Sequence, residues 1–151
     1  MAGATIWNMF DFQSWAKIGN IPHINQKGMM TYDRRAKGLF YYYQSEWSEK
    51  PMVYIWEHTL THRHGKKGEL QPVEIFSNCP EVELYVDGAS VGKRTKENGY
   101  TWRIDFTEGY HDLKAVATRE GETVKWEMQI HYEFSETKTG REKGKGVDDG
   151  F

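Results

Sequence analysis

Val82-Glu-Leu-Tyr-Val-Asp-Gly88 alternates apolar and polar side chains and ends on Asp-Gly, just ahead of Ser90-Val-Gly-Lys93. Successive side chains of a strand point to opposite faces, so Val82, Leu84 and Val86 share one face and Glu83, Tyr85 and Asp87 the other. Asp-Gly supplies two residues that tolerate positive φ, the requirement of a tight hairpin turn. A strand, a turn and a returning strand therefore lie at the centre of the chain.

The same alternation continues on both sides. Val53 and Ile55 alternate with Tyr54 and Trp56, and Val73 and Ile75 with Glu74 and Phe76. Further along come Tyr100–Phe106, Leu113–Thr118 and Val124–Tyr132, the last two joined across Glu120-Gly121. About seven short strands separated by turn signals make residues 50–132 an immunoglobulin-like antiparallel β-sandwich, and the chain mainly β.

Residues 1–49 read differently. Ala4-Thr-Ile-Trp-Asn-Met-Phe-Asp-Phe12 is apolar almost throughout, as in a strand covered on both faces. A polar loop with Gly19, Asn20, Pro22 and Asn25 follows. Asp33 then precedes a helical spacing of Ala36, Leu39, Phe40, Tyr43 and Trp47 and is expected to cap that helix. This is one β/α unit, and one unit closes neither a barrel nor a parallel sheet. The elements that would complete it are expected upstream. Residues 133–151 are rich in Glu, Lys, Gly, Thr and Asp and read as a charged tail.

Composition sets outer bounds. The formal net charge is −2, which creates no field to gather nucleic acid or an anionic membrane, and neither is expected as a partner. No run of about 18 apolar residues is present, and the start lacks a basic, then apolar, leader pattern. One cysteine, Cys79, forms no internal disulfide. The compartment stays open between cytoplasmic and periplasmic or secreted.

Five motifs stand in order: Ile6-Trp-Asn-Met-Phe-Asp-Phe12, Asn25-Gln-Lys-Gly28, Thr31-Tyr-Asp-Arg34, Phe40-Tyr-Tyr-Tyr43 with Trp47-Ser48, and Val73-Glu-Ile-Phe-Ser-Asn-Cys79 running on through Val82–Gly88 to Gly92. Together they resemble the C-terminal part of glycoside hydrolase family 2, the β-galactosidases and β-glucuronidases. The first four match the last β/α unit of the catalytic TIM barrel, and the fifth matches the sandwich domain after it. The resemblance covers residue 3 to about residue 132.

That resemblance implies a retaining exo-β-glycosidase, β-galactosidase-like, whose acid/base and nucleophile Glu residues lie upstream of the matched segment. Retention needs two carboxyl groups about 5–5.5 Å apart. The barrel-like part offers only Asp11, Asp33, Glu46 and Glu49, and no such pair is expected among them. The chain alone is therefore expected to be inactive, with no catalytic residue of its own, supplying a pocket wall and a structural domain. Its expected partners are carbohydrate in the intact enzyme and the rest of the barrel. Self-association through residues 4–12 is expected where that apolar strand lacks cover.

Three residues are the candidate substrate contacts. The resemblance places Trp7 in the wall of the sugar pocket, where an indole face meets the C–H face of a pyranose. It also implies that Asn25 and Lys27, in the Asn-x-Lys-Gly motif, contact a sugar, with a carboxylate as the ligand in β-glucuronidases. Asp11 is read as a hydrogen-bonding anchor for a neighbouring loop, and Arg34 and Arg35 as surface residues.

His58, His62 and His64 raise a metal reading, since positions 58, 62 and 64 share one face of a strand. Gly65-Lys-Lys-Gly68 follows and no carboxylate is well spaced for a fourth ligand, so the expectation is an exposed strand end with no metal and no cofactor. Tyr54, Trp56, Tyr85 and Trp102 could form an aromatic stripe that binds sugar, although alternating aromatics more often pack. A stand-alone carbohydrate-binding or protein-interaction module is therefore the alternative to the enzyme-fragment reading.

Overall fold

Asp87 and Gly88 both take positive φ, 52° and 80°, and turn the chain back on itself between two paired strands. Glu120 and Gly121 do the same at 54° and 84°. Both hairpins stand where the sequence placed them. The structure, a computed structural model, describes residues 5–15 and 21–135, which divide into two compact units, 5–43 and 44–135.

In the first unit two short strands, β1 (Phe12–Gln13) and β2 (Ile24–Asn25), pair antiparallel, and α1 (Gly38–Trp47) begins. The expected strand over residues 4–12 is much reduced. From Thr5 to Phe10 exposed and half-buried residues alternate, so the segment is covered on one side, not two. Only an isolated bridge from Phe10 to Met30 extends its pairing. The physical reason is lateral: extended backbone becomes a strand only beside a partner, and among the described residues few stand there. Ala4, Gly19 and Asn20 lie outside the described residues.

The helix also starts later than expected. Asp33 does not cap it. Its Oδ1 accepts from Thr31 Oγ1 at 2.5 Å and its Oδ2 pairs with Arg35 Nε at 2.7 Å, closing a turn before the helix. Thr31 Oγ1 in turn accepts the Arg35 amide, and Ala36 bridges to Met30. Local side-chain bonds have won over helix extension. Trp47, expected on the buried face, is exposed.

The second unit is the sandwich. β3 (Val53–Ile55), β5 (Leu70–Ser77) and β8 (Thr101–Asp105) form one sheet in the order β3-β5-β8. β4 (His62–Gly65), β6 (Glu81–Val86), β7 (Ala89–Thr95), β9 (Gly109–Arg119) and β10 (Glu122–Phe134) form the other, in the order β4-β10-β9-β6-β7. Val53, Ile55, Val73, Ile75 and Trp102 from the first face Val82, Leu84, Leu113, Ala115, Ile130 and Tyr132 from the second. The alternation written into the sequence thus becomes the two inner faces of one core.

Two details go beyond the expected architecture. Among the described strands all pairs are antiparallel except β10 with β4, which run parallel. β10 continues to Phe134, two residues past the expected sandwich end, and residues 136–151 of the expected tail lie outside the described residues. No helix among the described residues is long and apolar enough to cross a membrane.

Candidate functional site

Asp11 organises the first unit. It is buried, and its Oδ1 accepts the Gly28 amide at 2.9 Å and the Lys37 ammonium at 2.8 Å. Lys37 Nζ also donates to the Gln26 carbonyl at 2.8 Å, so one ion pair grips the 25–28 loop at two points. The anchoring role expected of Asp11 is what the geometry provides. A buried charge pair of this kind is tolerable because each charge has both an opposite partner and further hydrogen bonds.

Asn25 is buried, and its Oδ1 accepts the Lys27 amide at 3.1 Å, which shapes the loop as an Asx turn. Gly28 follows because nothing larger fits: a Cβ there would stand 2.2 Å from the Phe10 carbonyl carbon and 2.3 Å from the Asp11 nitrogen. The Met29 amide donates to Asn8 O and the Met30 amide to Met9 O. The Asn-x-Lys-Gly loop therefore lies directly along the segment that carries Trp7.

Trp7 is 74% exposed, and Lys27 is exposed with no acid partner for its ammonium among the described residues. The structure thus brings Trp7 and Lys27 onto two adjoining backbone segments and leaves both side chains available. Asn25 is different, since its oxygen is already engaged by the loop backbone. Arg34, expected at the surface, lays its guanidinium over the Phe10 ring at 3.7 Å from the centroid. Arg34 carries a φ of 70°, a strained backbone that this stacking helps to hold.

The aromatic stripe does not exist as an open face. Tyr54 and Trp102 are buried, Tyr54 against Trp126 at 4.9 Å between centroids, and Trp56 packs on Phe76 at 5.1 Å. These aromatics build the sandwich.

The three histidines separate. His58 Nδ1 shares a 2.6 Å hydrogen bond with the Tyr54 hydroxyl, whereas His62 and His64 stand on β4. Parallel pairing places His62 opposite His131 and His64 opposite Glu133. Ligand atoms of His62, His131 and Glu133 lie within 4.8 Å of one another. Sequence reading missed this group because its members are almost 70 residues apart along the chain, and no local signal announces a parallel pairing.

Comparison with known proteins gives consistent relatives. Residues 68–125 match a family model described as a domain of unknown function, DUF4982. A provisionally named β-glucuronidase of Formosa agariphila is 39% identical over 94% of this chain and 18% of its own length. A β-glucuronidase of Bacteroides fragilis is 33% identical over 86% of this chain and 19% of its own. The apo structure of Bacteroides uniformis β-glucuronidase 3 superposes with a TM-score of 0.80 at 34% identity, covering 85% of this chain and 18% of that one. β-Galactosidases match as well, at 27% and 31% identity. The chain spans about a fifth of the length of the curated relatives it matches.

Proposed function

We propose, for a chain that belongs to the family of the β-glucuronidases and β-galactosidases, a place within a retaining exo-β-glycosidase of glycoside hydrolase family 2 that acts on terminal β-glucuronides. In this reading residues 1–49 are the last β/α unit of the catalytic barrel, residues 50–132 the sandwich domain that follows it along the chain and residues 133–151 a charged tail. Trp7 supplies one wall of the sugar pocket. Lys27, with Asn25 shaping its loop, takes the sugar carboxylate. The remainder of the barrel covers the apolar residues around Trp7 and Met9 and brings the two catalytic Glu residues, which act through a covalent glycosyl-enzyme.

The observation that carries this reading is the loop itself. Asp11, Lys37 and Gly28 fix its backbone, while the exposed Lys27 ammonium has no acid partner among the described residues. A positioned, unpaired cation suits a ligand that bears a carboxylate. Galactose offers a neutral hydroxymethyl group at the place where glucuronate has its carboxylate, so the sequence-based expectation of a β-galactosidase moves to a β-glucuronidase. The order of identity among the relatives supports the same choice. Asp11 is engaged by Lys37 and Asp33 by Arg35 and Thr31, which supports a chain without a catalytic carboxylate pair.

The test is a chimera in which this chain replaces the matching fifth of the Bacteroides fragilis β-glucuronidase. The chimera is expected to hydrolyse an aryl β-glucuronide. Lys27→Ala should then lower kcat/KM for the glucuronide about 10- to 100-fold, the value of one charge-assisted contact, and leave any aryl β-galactoside activity unchanged. Equal losses on both substrates, or no loss on either, would refute the carboxylate role. The 151-residue chain by itself is expected to turn over neither substrate.

A further inference from the structure

The outer face of the five-stranded sheet carries a group of metal-ligand side chains that the sugar reading does not use. On β10, Ile130 and Tyr132 point into the core, so His131 and Glu133 point outward. Parallel register sets His62 beside His131 and His64 beside Glu133, and residues paired in register share a face. Four ligand-type residues thus occupy two adjacent rows on one face of an edge strand and its neighbour. We propose that His62, His131 and Glu133, with His64 at the fourth position, form a zinc site that pins β4 to β10.

Geometry and chemistry agree on this. Zinc takes imidazole nitrogens and carboxylate oxygens at about 2.0–2.1 Å in a tetrahedron, which sets neighbouring ligand atoms about 3.3 Å apart. His131 Nδ1 and Glu133 Oε1 already stand 3.3 Å apart. The atoms of His62, His131 and Glu133 all lie within 4.8 Å of one another, so rotation of exposed side chains closes the remainder. His64 Nδ1 is 3.7 Å from the other oxygen, Glu133 Oε2.

His131 supplies a second, independent sign. Its Nδ1 is sealed from solvent and makes no hydrogen bond, because Glu133 stands nearby but out of line. Tyr110 of β9, paired with His131, lies against the ring at 4.6 Å between centroids with the planes tilted by 47°. A polar nitrogen shut away from water without a partner is costly. A metal bond to that nitrogen removes the cost. The donor set of imidazole and carboxylate favours zinc over magnesium or calcium, which prefer oxygen alone.

The site also has a structural use. β4 is four residues long, lies at the sheet edge and, among the described residues, pairs with no strand but β10. A metal clip across the two strands stabilises the folded state by as much as it binds that state more tightly than the unfolded chain.

The experiment uses the 151-residue chain, free of any affinity tag and stripped by a chelator. Zinc chloride is titrated in by calorimetry, cobalt(II) is followed by its visible absorption, and melting is recorded with and without zinc. About one zinc per chain is expected, with an affinity on the order of micromolar or tighter, an intense cobalt spectrum of the tetrahedral kind and a rise in Tm. His62→Ala, at an exposed position, His131→Gln and Glu133→Gln should each weaken binding at least tenfold. His58→Ala, whose imidazole is bonded to Tyr54, should bind as the parent does. Absence of saturable uptake overturns the proposal. So does uptake that neither His62→Ala nor His131→Gln diminishes, since the metal would then sit elsewhere.

Discussion

His111 and Asp87 are joined across the sheet: imidazole Nδ1 donates to Asp87 Oδ2 at 2.7 Å, and Asp87 Oδ1 accepts the Asp112 amide at 2.8 Å. The other ring nitrogen, Nε2, lies 2.8 Å from the Thr107 carbonyl. Both neighbours of the ring are acceptors, an arrangement that favours the protonated ring, in which both nitrogens donate. Burial of the ring is the largest single influence and acts to lower its pKa, but the bonds from Asp87 and Thr107 together raise it above the ordinary histidine value. The bond to His111 in turn holds Asp87 below the ordinary carboxylate value. The pair ties the Asp87-Gly88 hairpin to β9.

Stability should follow from those two directions. His111 has a raised folded pKa, so its contribution is complete below the ordinary histidine pKa and is lost as pH rises through the raised value. Asp87 has a depressed folded pKa, so its contribution is present above the ordinary aspartate pKa and is lost as pH falls through the depressed one. The pair therefore stabilises most in mildly acidic solution, between the two. Asp87→Asn should cost about 1 kcal/mol there, a figure reduced because Asp87 is half-exposed. Urea unfolding at a series of pH values should show the parent's decline above neutrality flattened in the variant. An unchanged pH profile would remove the pair from the account.

Tyr100 closes a different link. Its hydroxyl donates to the buried carbonyl of Cys79, joining the start of β8 to the turn before β6. Tyr100→Phe keeps the ring and strands that carbonyl without its donor. A loss of about 1–3 kcal/mol is expected from the unsatisfied group. Chemical denaturation measures it, with an unchanged m-value showing that the unfolded state was not what changed.

Asn78 fixes the stretch that leads into β3. Its Oδ1 accepts the Met52 amide at 2.9 Å, and its Nδ2 donates to the carbonyls of Ser48 and Lys50 at 2.8 and 2.7 Å. Three backbone groups outside the strand pairings bond to this one amide, and of these the Lys50 carbonyl also accepts from Ser48 Oγ at 3.3 Å. Asn78→Asp retains an acceptor for Met52 but loses both donors and sets a charge against two carbonyls. It should destabilise by about 2 kcal/mol, and Asn78→Ala by a similar amount. Hydrogen exchange should report the difference between them, since only Asn78→Ala should speed exchange at the Met52 amide.

Local rules explain why much of the sandwich could be read from the sequence. Val82, Leu84 and Val86 alternate over a distance of a few residues, and Asp87-Gly88 leaves little choice of turn. The pairing of β4 with β10 had no such signal. His62 and His131 meet because β4 pairs parallel on the edge of β10 opposite β9, a long-range event without a motif. The expected cap at Asp33 failed for a related reason. A residue suited to start a helix is equally suited to a turn, and Thr31 and Arg35 drew it into the turn. In and beside the candidate sugar loop the sequence marked Trp7, Asn25 and Lys27 through the family resemblance, and it marked Asp11 as an anchor. It did not reveal Lys37, whose helical spacing resembles that of any surface lysine.

Lys37 and Gly28 lead to a prediction on which the loop's rigidity rests. The Lys37 ammonium and the Asp11 carboxylate are both buried, 2.8 Å apart. Removing one leaves the other as an uncompensated buried charge, which costs about 3–5 kcal/mol. Lys37→Met should therefore loosen residues 25–28 strongly. Asp11→Asn paired with Lys37→Met removes both charges and should recover a large part of the loss. Gly28→Ala acts by another route, because its Cβ meets backbone atoms that cannot swing away. The loop must move off the Trp7 segment, breaking the Met29-to-Asn8 bond. Hydrogen exchange at Gly28, Met29 and Met30 distinguishes the two: the double variant should restore protection lost in Lys37→Met, whereas nothing at position 37 should restore it in Gly28→Ala. If Lys37→Met left those amides protected, the ion pair would not be what holds the loop, and the rigid display of Lys27 would need another cause.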